Sequence, residues 1–293
     1  MRNTLKVGLM LTLLTAGFLF LGRAFGGPSG MMIAFGLAVV MNVGSYWFSD
    51  KIVLKMTGAQ PVDGHSAPEL FRMTEALVQR ANLPMPRLYI IDDPQPNAFA
   101  TGRNPQNAAV AVNSGLLNLL SREEVEGVVA HELAHVKHRD TLTMTIVATL
   151  AGAVMMMADF ARIAAIFGGG HSDDEEGGAN PMVFFALMIF APIAAMLVQM
   201  TVSRAREYEA DATAARLTGS PQGLMNALAK LERGAAQIPT HSMSPQTAHL
   251  CIVNPLKALG GIGKWFSTHP PMDKRIAALA KISPQPVSSN PWS

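Results

Sequence analysis

Hydrophobic residues in this chain gather in four long uncharged runs, separated by stretches where the pattern turns amphipathic or alternating. The runs cover residues 7–22, 31–48, 141–158 and 182–202. A helix crossing a bilayer needs about 20 apolar residues, within a range of about 17–25. The second and fourth runs meet that length. The first meets it when Ala24 and Phe25 are included, and the third sits at the lower limit. A basic start and an apolar core also describe a cleaved signal peptide. Here a second run follows at once across Gly26-Gly27-Pro28-Ser29-Gly30, so a two-span hairpin is the better reading. The third and fourth runs form either a second spanning hairpin or one packed partly against the protein.

Between the runs the periodicity changes. Ser66-Ala67-Pro68-Glu69 starts a helix with Leu70, Met73, Leu77 and Ala81 on one face, ending near Pro84. Residues 87–91 and 108–113 read as strands, with 97–101 a further candidate. Ser121 and Glu124 form a capping-box signature, after which Val125, Val128, Val129 and Leu133 recur at helical spacing. Ser220-Pro221 opens a helix with Leu224, Leu228 and Leu231 inward, residues 271–281 form a last short helix, and the tail from Pro284 is expected to be disordered. No internal repeat is visible. The organisation expected is an N-terminal transmembrane hairpin (1–50), a first soluble part (51–140) and a second hydrophobic hairpin (141–202) with an acidic loop at 168–180. A second soluble part (203–283) and a tail (284–293) follow.

Charge orients this arrangement. Lys51, Lys55, Lys137, Arg139, Arg204 and Arg206 flank the runs on one side, which the positive-inside bias makes cytoplasmic, together with both termini. The other side receives Arg23, Arg162 and Asp173-Asp174-Glu175-Glu176, read as a solvated loop. Composition agrees: only 15% of the 293 residues are charged, against about 25% in an ordinary soluble domain. A net charge of +2 gives no reason to expect nucleic acid as a partner. Cys251 is the single cysteine, which excludes an intrachain disulfide and reads as a buried thiol. The nineteen methionines lie largely in apolar runs and read as filler.

The chemistry is concentrated in His131-Glu132-Leu133-Ala134-His135. Histidines four apart lie on one helix face and can share a metal ion, while Glu132 can take a proton from water bound there. Three fixed positions are a weak pattern alone, and the capped helix around them strengthens it. A tetrahedral catalytic site still lacks one protein ligand. Ser203 to Asp211 continues from the fourth run as helix and offers Glu207 as that ligand. Asp211, four residues on, can accept the second ring N–H of a metal-bound histidine. Glu209 points about 200° from Glu207 and is a decoy. His138, at the helix end beside Asp140, is expected to face solvent or lipid headgroups.

These motifs, with Thr268-His269-Pro270-Pro271 and Arg275, resemble the HtpX family of membrane-bound zinc metalloproteases, relatives of the CAAX prenyl proteases. Asn97-Ala98-Phe99-Ala100-Thr101-Gly102 and Val112-Asn113-Ser114-Gly115-Leu116-Leu117 resemble it as well. The likeness runs over nearly the whole chain and is weakest at residues 237–266. It implies a mainly α membrane protein: four transmembrane segments plus a zincin-like (gluzincin) α+β cytoplasmic metalloprotease domain. One Zn2+ is implied on His131, His135 and Glu207, with Glu132 catalytic. It further implies a stress-linked quality-control endopeptidase of the bacterial inner membrane, with membrane protein substrates and other quality-control proteases as partners.

Within that chemistry Glu132 serves as general base and then acid. His269 is either a catalytic donor to the tetrahedral oxyanion or a structural histidine. Asn97 is a substrate-binding candidate by resemblance. Arg275 either joins it there or, as the stronger reading, braces the Pro-Pro turn or pairs with an acid. If the helices run on unbroken, the metal lies roughly 8–9 Å from each hydrophobic boundary. An intramembrane protease would have to immerse Lys137 to Asp140. A catalytically inactive zinc scaffold has no need of Glu132, and a transporter would carry ionisable groups at the middle of its spans.

Overall fold

The computed structural model describes residues 2–149, 204–237, 250–252 and 270–284. The fourth hydrophobic run, most of the third, the acidic loop, His269 and the tail beyond residue 284 lie outside the described residues. The first two runs form α1 (Arg2–Met56), broken at Gly27, whose φ of 61° and ψ of −148° are open to glycine and strained for other residues. Asn42 Nδ2 donates to Thr15 Oγ1 at 2.9 Å, so the two arms lie side by side as the expected hairpin. Gly27–Met56 is long and apolar enough to cross a membrane, the one such helix among the described residues. Ile33 and Val40 on it are 74% and 69% exposed, an apolar surface that water alone would not favour.

The soluble part is built on a four-stranded sheet. β1 (Gln60–Val62), β2 (Arg87–Ile91), β3 (Ala98–Thr101) and β4 (Ala109–Asn113) stand in the order β1-β2-β4-β3. β2 and β4 run parallel, and β1 and β3 are antiparallel edge strands. Three of the four match expectation, while three-residue β1 is too short to show alternation. Period-two packing explains the two cores. Leu88, Ala98, Ala100, Val110 and Val112 face α2 (Pro68–Ala81) and α4 (Arg122–Lys137). Tyr89, Ile91, Phe99, Ala109 and Ala111 face Val53 and Leu54 at the base of α1, with Met144, Ala148 and Cys251. The end of α1 is thus part of the sheet's second core, and Cys251 is the buried thiol expected.

α2 and α4 carry their expected inward faces. Leu70, Met73, Leu77 and Ala81 of α2 are buried, and Asn82 closes it in the left-handed region at φ 54°. Short α3 (Ser114–Leu119) follows β4 directly. The capping box of α4 is complete: Ser121 N–H donates to Glu124 Oε2 at 2.7 Å and Glu124 N–H to Ser121 Oγ at 3.4 Å. α5 (Arg204–Thr218), α6 (Gln222–Gln237) and α7 (Met272–Leu279) complete the layer, with Leu224, Leu228 and Leu231 of α6 inward.

One expectation is corrected. α4 does not run unbroken into the third hydrophobic run. It ends at Lys137, and Arg139 takes a left-handed conformation at φ 59°. The N–H of Asp140 then returns to the carbonyl of His135 at 3.0 Å, a C-terminal cap that redirects the chain. The distance of roughly 8–9 Å from metal to hydrophobic boundary, reckoned along a continuous helix, therefore does not hold on the His135 side, while the stretch before Arg204 lies outside the described residues. Helical residues 141–149 pack on the domain, where Thr101 Oγ1 and Thr145 Oγ1 share a hydrogen bond of 2.9 Å.

Where α4 meets α6, a Cβ on Gly127 would lie 2.6 Å from the backbone nitrogen of Leu224. No rotamer relieves a clash with backbone. Gly127→Ala is expected to destabilise the protein by about 1–3 kcal/mol despite alanine's better helix propensity. Thermal unfolding of the purified protein in detergent measures it, and a raised midpoint would contradict the packing.

Candidate metal centre

α4 presents His131, Glu132 and His135 toward the interior, each no more than 3% exposed. α5 crosses this face and brings Glu207, also 3% exposed, to the same point. The Nε2 atoms of His131 and His135 stand 3.2 Å apart. Glu207 Oε2 lies 3.7 Å from Nε2 of His131, and Oε1 lies 3.6 Å from Nε2 of His135. Tetrahedral ligands about 2.0–2.1 Å from a zinc ion stand about 3.3–3.4 Å from each other, so this donor triangle fits such an ion. The three residues form a possible metal site, brought together from helices that are distant in sequence.

The other ring nitrogens are held by carboxylates. Nδ1 of His131 is 3.0 Å from Asp211 Oδ1, and Nδ1 of His135 is 3.4 Å from Asp140 Oδ2. Such contacts fix ring orientation and leave Nε2 free to ligate. Asp211 was expected in this role. Asp140 was not: the left-handed turn at Arg139 folds it back, and no periodicity announces that. Each carboxylate has its own arginine. Arg275 donates to both oxygens of Asp211, at 2.9 and 2.6 Å, and Arg206 Nη1 donates to Asp140 Oδ1 at 3.0 Å.

The acid-pairing reading of Arg275 holds. Its side chain is fully buried: besides Asp211 the guanidinium meets the Ile252 carbonyl, to which Nη1 donates at 3.3 Å, Glu207 Oε2 at 3.8 Å and the His131 ring nitrogens at 3.4 Å. Asn97 is fully buried at the head of β3, its carbonyl accepting from Asn113 N–H at 2.9 Å. Glu209 is 63% exposed in its side chain, and His138 lies 4.0 Å from it, apart from the donor triangle.

Electrostatics follow from this wiring. Burial, then the nearby Arg275 charge, hold His131 down at about 4 against its bond to Asp211, which keeps the imidazole neutral and able to ligate. Burial also disfavours a charged His135, but its bond to Asp140 and the charges of Glu207 and Glu132 push it up to about 9. The carboxylates packed around the two imidazoles raise both, and only at His135 do they outweigh burial. Burial pushes Glu132 up to about 8, with His135 pulling it down and Glu207 raising it further. The N–H of Ala100 on β3 bonds to that carboxylate, tying the helix to the sheet edge.

Paired imidazoles with an intervening glutamate, closed by a carboxylate from a second helix, define a metallopeptidase. The profile of peptidase family M48 matches residues 65–283, a stretch that includes every residue of this cluster, and the chain belongs to that family. It is 53% identical over 279 residues to the protease HtpX homolog of Desulforapulum autotrophicum, covering 95% of this chain and 90% of the relative. It is 52% identical over 283 residues to the protease HtpX homolog of Syntrophobacter fumaroxidans, covering 96% and 100%. The expected HtpX kinship is thereby met. Among solved structures, the crystal structure of S. mikatae Ste24p aligns with a TM-score of 0.47 at 20% identity. It covers 93% of this chain, which spans 62% of that chain's length.

The Asp211–Arg275 pair gives a pH signature. Burial raises the carboxyl of Asp211, but the charge and hydrogen bonds of Arg275 outweigh it and hold the group at about 2, below its ordinary 3.8. Between those values the unfolded chain binds the proton that the folded one refuses, so stability rises with pH. The contribution is complete above about pH 4 and lost as the pH falls through about 2. Asp211→Asn is expected to flatten this acid limb and cost about 3–5 kcal/mol near neutrality, because Arg275 stays buried without its carboxylate. Denaturant unfolding across that range reads both effects, and an unaltered acid limb would count against the assignment.

Proposed function

We propose that this protein is a zinc-dependent endopeptidase of the bacterial inner membrane that cuts damaged or misfolded membrane proteins on their cytoplasmic side. The observation that carries the reading is the buried triangle of His131, His135 and Glu207 with Glu132 beside it. His131, His135 and Glu207 would hold the zinc ion. When bound, zinc supplies Lewis acidity, acidifying a water and polarising a peptide carbonyl. Glu132 would accept a proton from a water held there and return it to the leaving amine. A carboxyl raised by burial holds a proton long enough to pass it on. Asp211 and Asp140 keep the two imidazoles in the ligating orientation, and Arg275 and Arg206 keep those carboxylates ionised.

The substrate is read as an extended peptide laid along the outer edge of β3. That edge runs beside Glu132, and backbone pairing asks little of the substrate's sequence. The Ala98 carbonyl on this edge accepts the N–H of Ile252 at 3.3 Å, so a peptide pairing there takes over that bond. Multi-pass topology, with both termini and the catalytic domain in the cytoplasm, rests on the Lys/Arg flanks and on the apolar exposure of Gly27–Met56.

Glu132→Gln is expected to retain zinc and lose about 10²- to 10⁴-fold in peptide hydrolysis. Glu207→Ala is expected to lose zinc, while Glu209→Ala keeps both metal and activity. Metal analysis beside cleavage of an unfolded membrane protein checks all three. Full activity in Glu132→Gln overturns the mechanism, and zinc retained by Glu207→Ala but lost by Glu209→Ala overturns the ligand set. Trapping with Glu132→Gln in cells tests the substrate class, which an exclusively soluble catch refutes.

A further inference from the structure

A cleft of about 450 Å³ opens well away from the metal centre, where the second arm of α1 leaves its apolar run and meets the soluble domain. Trp47, Asp50 and Lys51 line it from the helix, and Arg87, Arg103 and Asn107 from the domain. Polar and cation–π contacts join the halves. Arg87 Nη2 donates to Asp50 Oδ2 at 2.6 Å, and the Arg103 guanidinium lies 4.8 Å from the centre of a Trp47 ring. Asp50 is thus taken by Arg87. Arg103 donates only to neutral oxygens, the Trp47 carbonyl and Asn107 Oδ1, both at 3.4 Å. Lys51 Nζ lies 5.9 Å from the Phe48 ring centre. Among the described residues, neither Lys51 nor Arg103 meets a carboxylate.

We infer that this cleft is a binding site for the phosphate headgroup of an anionic phospholipid. The inference rests on the reading of Gly27–Met56 as a membrane span. On that reading Tyr46, Trp47 and Phe48, all exposed, stand at the headgroup level where aromatic rings collect. A phosphate at this level meets Arg103 and Lys51, the first with a guanidinium fork suited to phosphate oxygens. The acyl chains then run along the exposed apolar face of α1, where Val40 and Val43 lie. Three cations against one carboxylate repel the quaternary ammonium of a zwitterionic headgroup, so the site selects net negative charge. Arg103 lies two residues beyond the end of β3. A lipid held there fixes the height of the edge strand, and with it Glu132, above the bilayer.

The test uses the full-length protein in neutral detergent, titrated with phosphatidylglycerol or phosphatidylcholine and read by native mass spectrometry. Wild type is expected to prefer phosphatidylglycerol, with each cation removed costing about five-fold in that lipid's affinity. Lys51→Gln with Arg103→Gln should therefore abolish the preference while leaving zinc content unchanged. Arg103→Lys should restore part of it. Equal binding of the two lipids by wild type, or a preference surviving in the double variant, overturns the site. Inorganic phosphate that binds as tightly as the lipid makes this a free-anion site and overturns the lipid assignment. Carbonate extraction of cell membranes separates the underlying reading. A protein released by carbonate overturns the span and the site together, whereas a retained protein without headgroup preference overturns the site alone.

Discussion

Buried negative charge organises the catalytic half of this molecule. Glu132, Glu207, Asp140 and Asp211 are all nearly inaccessible to water and lie around one point. A carboxylate in such a place persists only with a partner, since unpaired burial costs several kcal/mol per ion. Three of the four are met by arginines, Glu207 at 3.8 Å from the same Arg275 that binds Asp211, and the two aspartates turn their remaining capacity to an imidazole. The result is two parallel relays, Arg275–Asp211–His131 and Arg206–Asp140–His135. Each sets one histidine so that its Nε2 faces the other's and Glu207. The donor triangle is therefore built from behind, by carboxylate–arginine pairs that hold the two imidazoles through their Nδ1 atoms.

That wiring dictates which helices must meet. Both imidazoles come from α4, but their carboxylates come from α5 and from the turn after α4, and the arginines come from α7 and α5. None of these contacts forms unless the helices pack closely, and close approach needs small residues such as Gly127 and Gly223 where α4 crosses α6. On the other side, the N–H of Ala100 reaches Glu132 only because β3 is an edge strand with its outer backbone groups turned toward α4. The sheet thereby supplies a constraint on Glu132 from outside the helix that carries it.

Legibility in the sequence follows the range of each interaction. Local rules carried the capping box, the face of α2, three strands and the assignment of Glu207 and Asp211 over Glu209, because a 3.6-residue period separates these positions unambiguously. The kink at Gly27 was legible from composition. Asp140 was not, since it reaches His135 through a left-handed residue that is not glycine, asparagine or aspartate. Arg275 was half legible. An arginine reads as exposed by default, and what buries it completely is Asp211, which lies 64 positions away. β1 and α3 went unseen because a three-residue strand and a one-and-a-half-turn helix carry too little pattern to rise above the surrounding chain.

The turn at Arg139 also settles how the site relates to the hydrophobic runs. A continuous helix from His135 into the third run would have tied the metal ligands directly to a membrane segment, so that tilting of that segment moved them. Instead the helix stops, Asp140 is spent on His135, and residues 141–149 begin again while packed against the sheet's second core. The soluble core, not the hydrophobic run, fixes the ligand geometry. What links that core to the first hairpin is the base of α1: Val53 and Leu54 are buried against the sheet, and Asp50 is bound to Arg87 on β2. α1 and the sheet that ends in β3 are thus packed as one unit, while each histidine is held by its own relay.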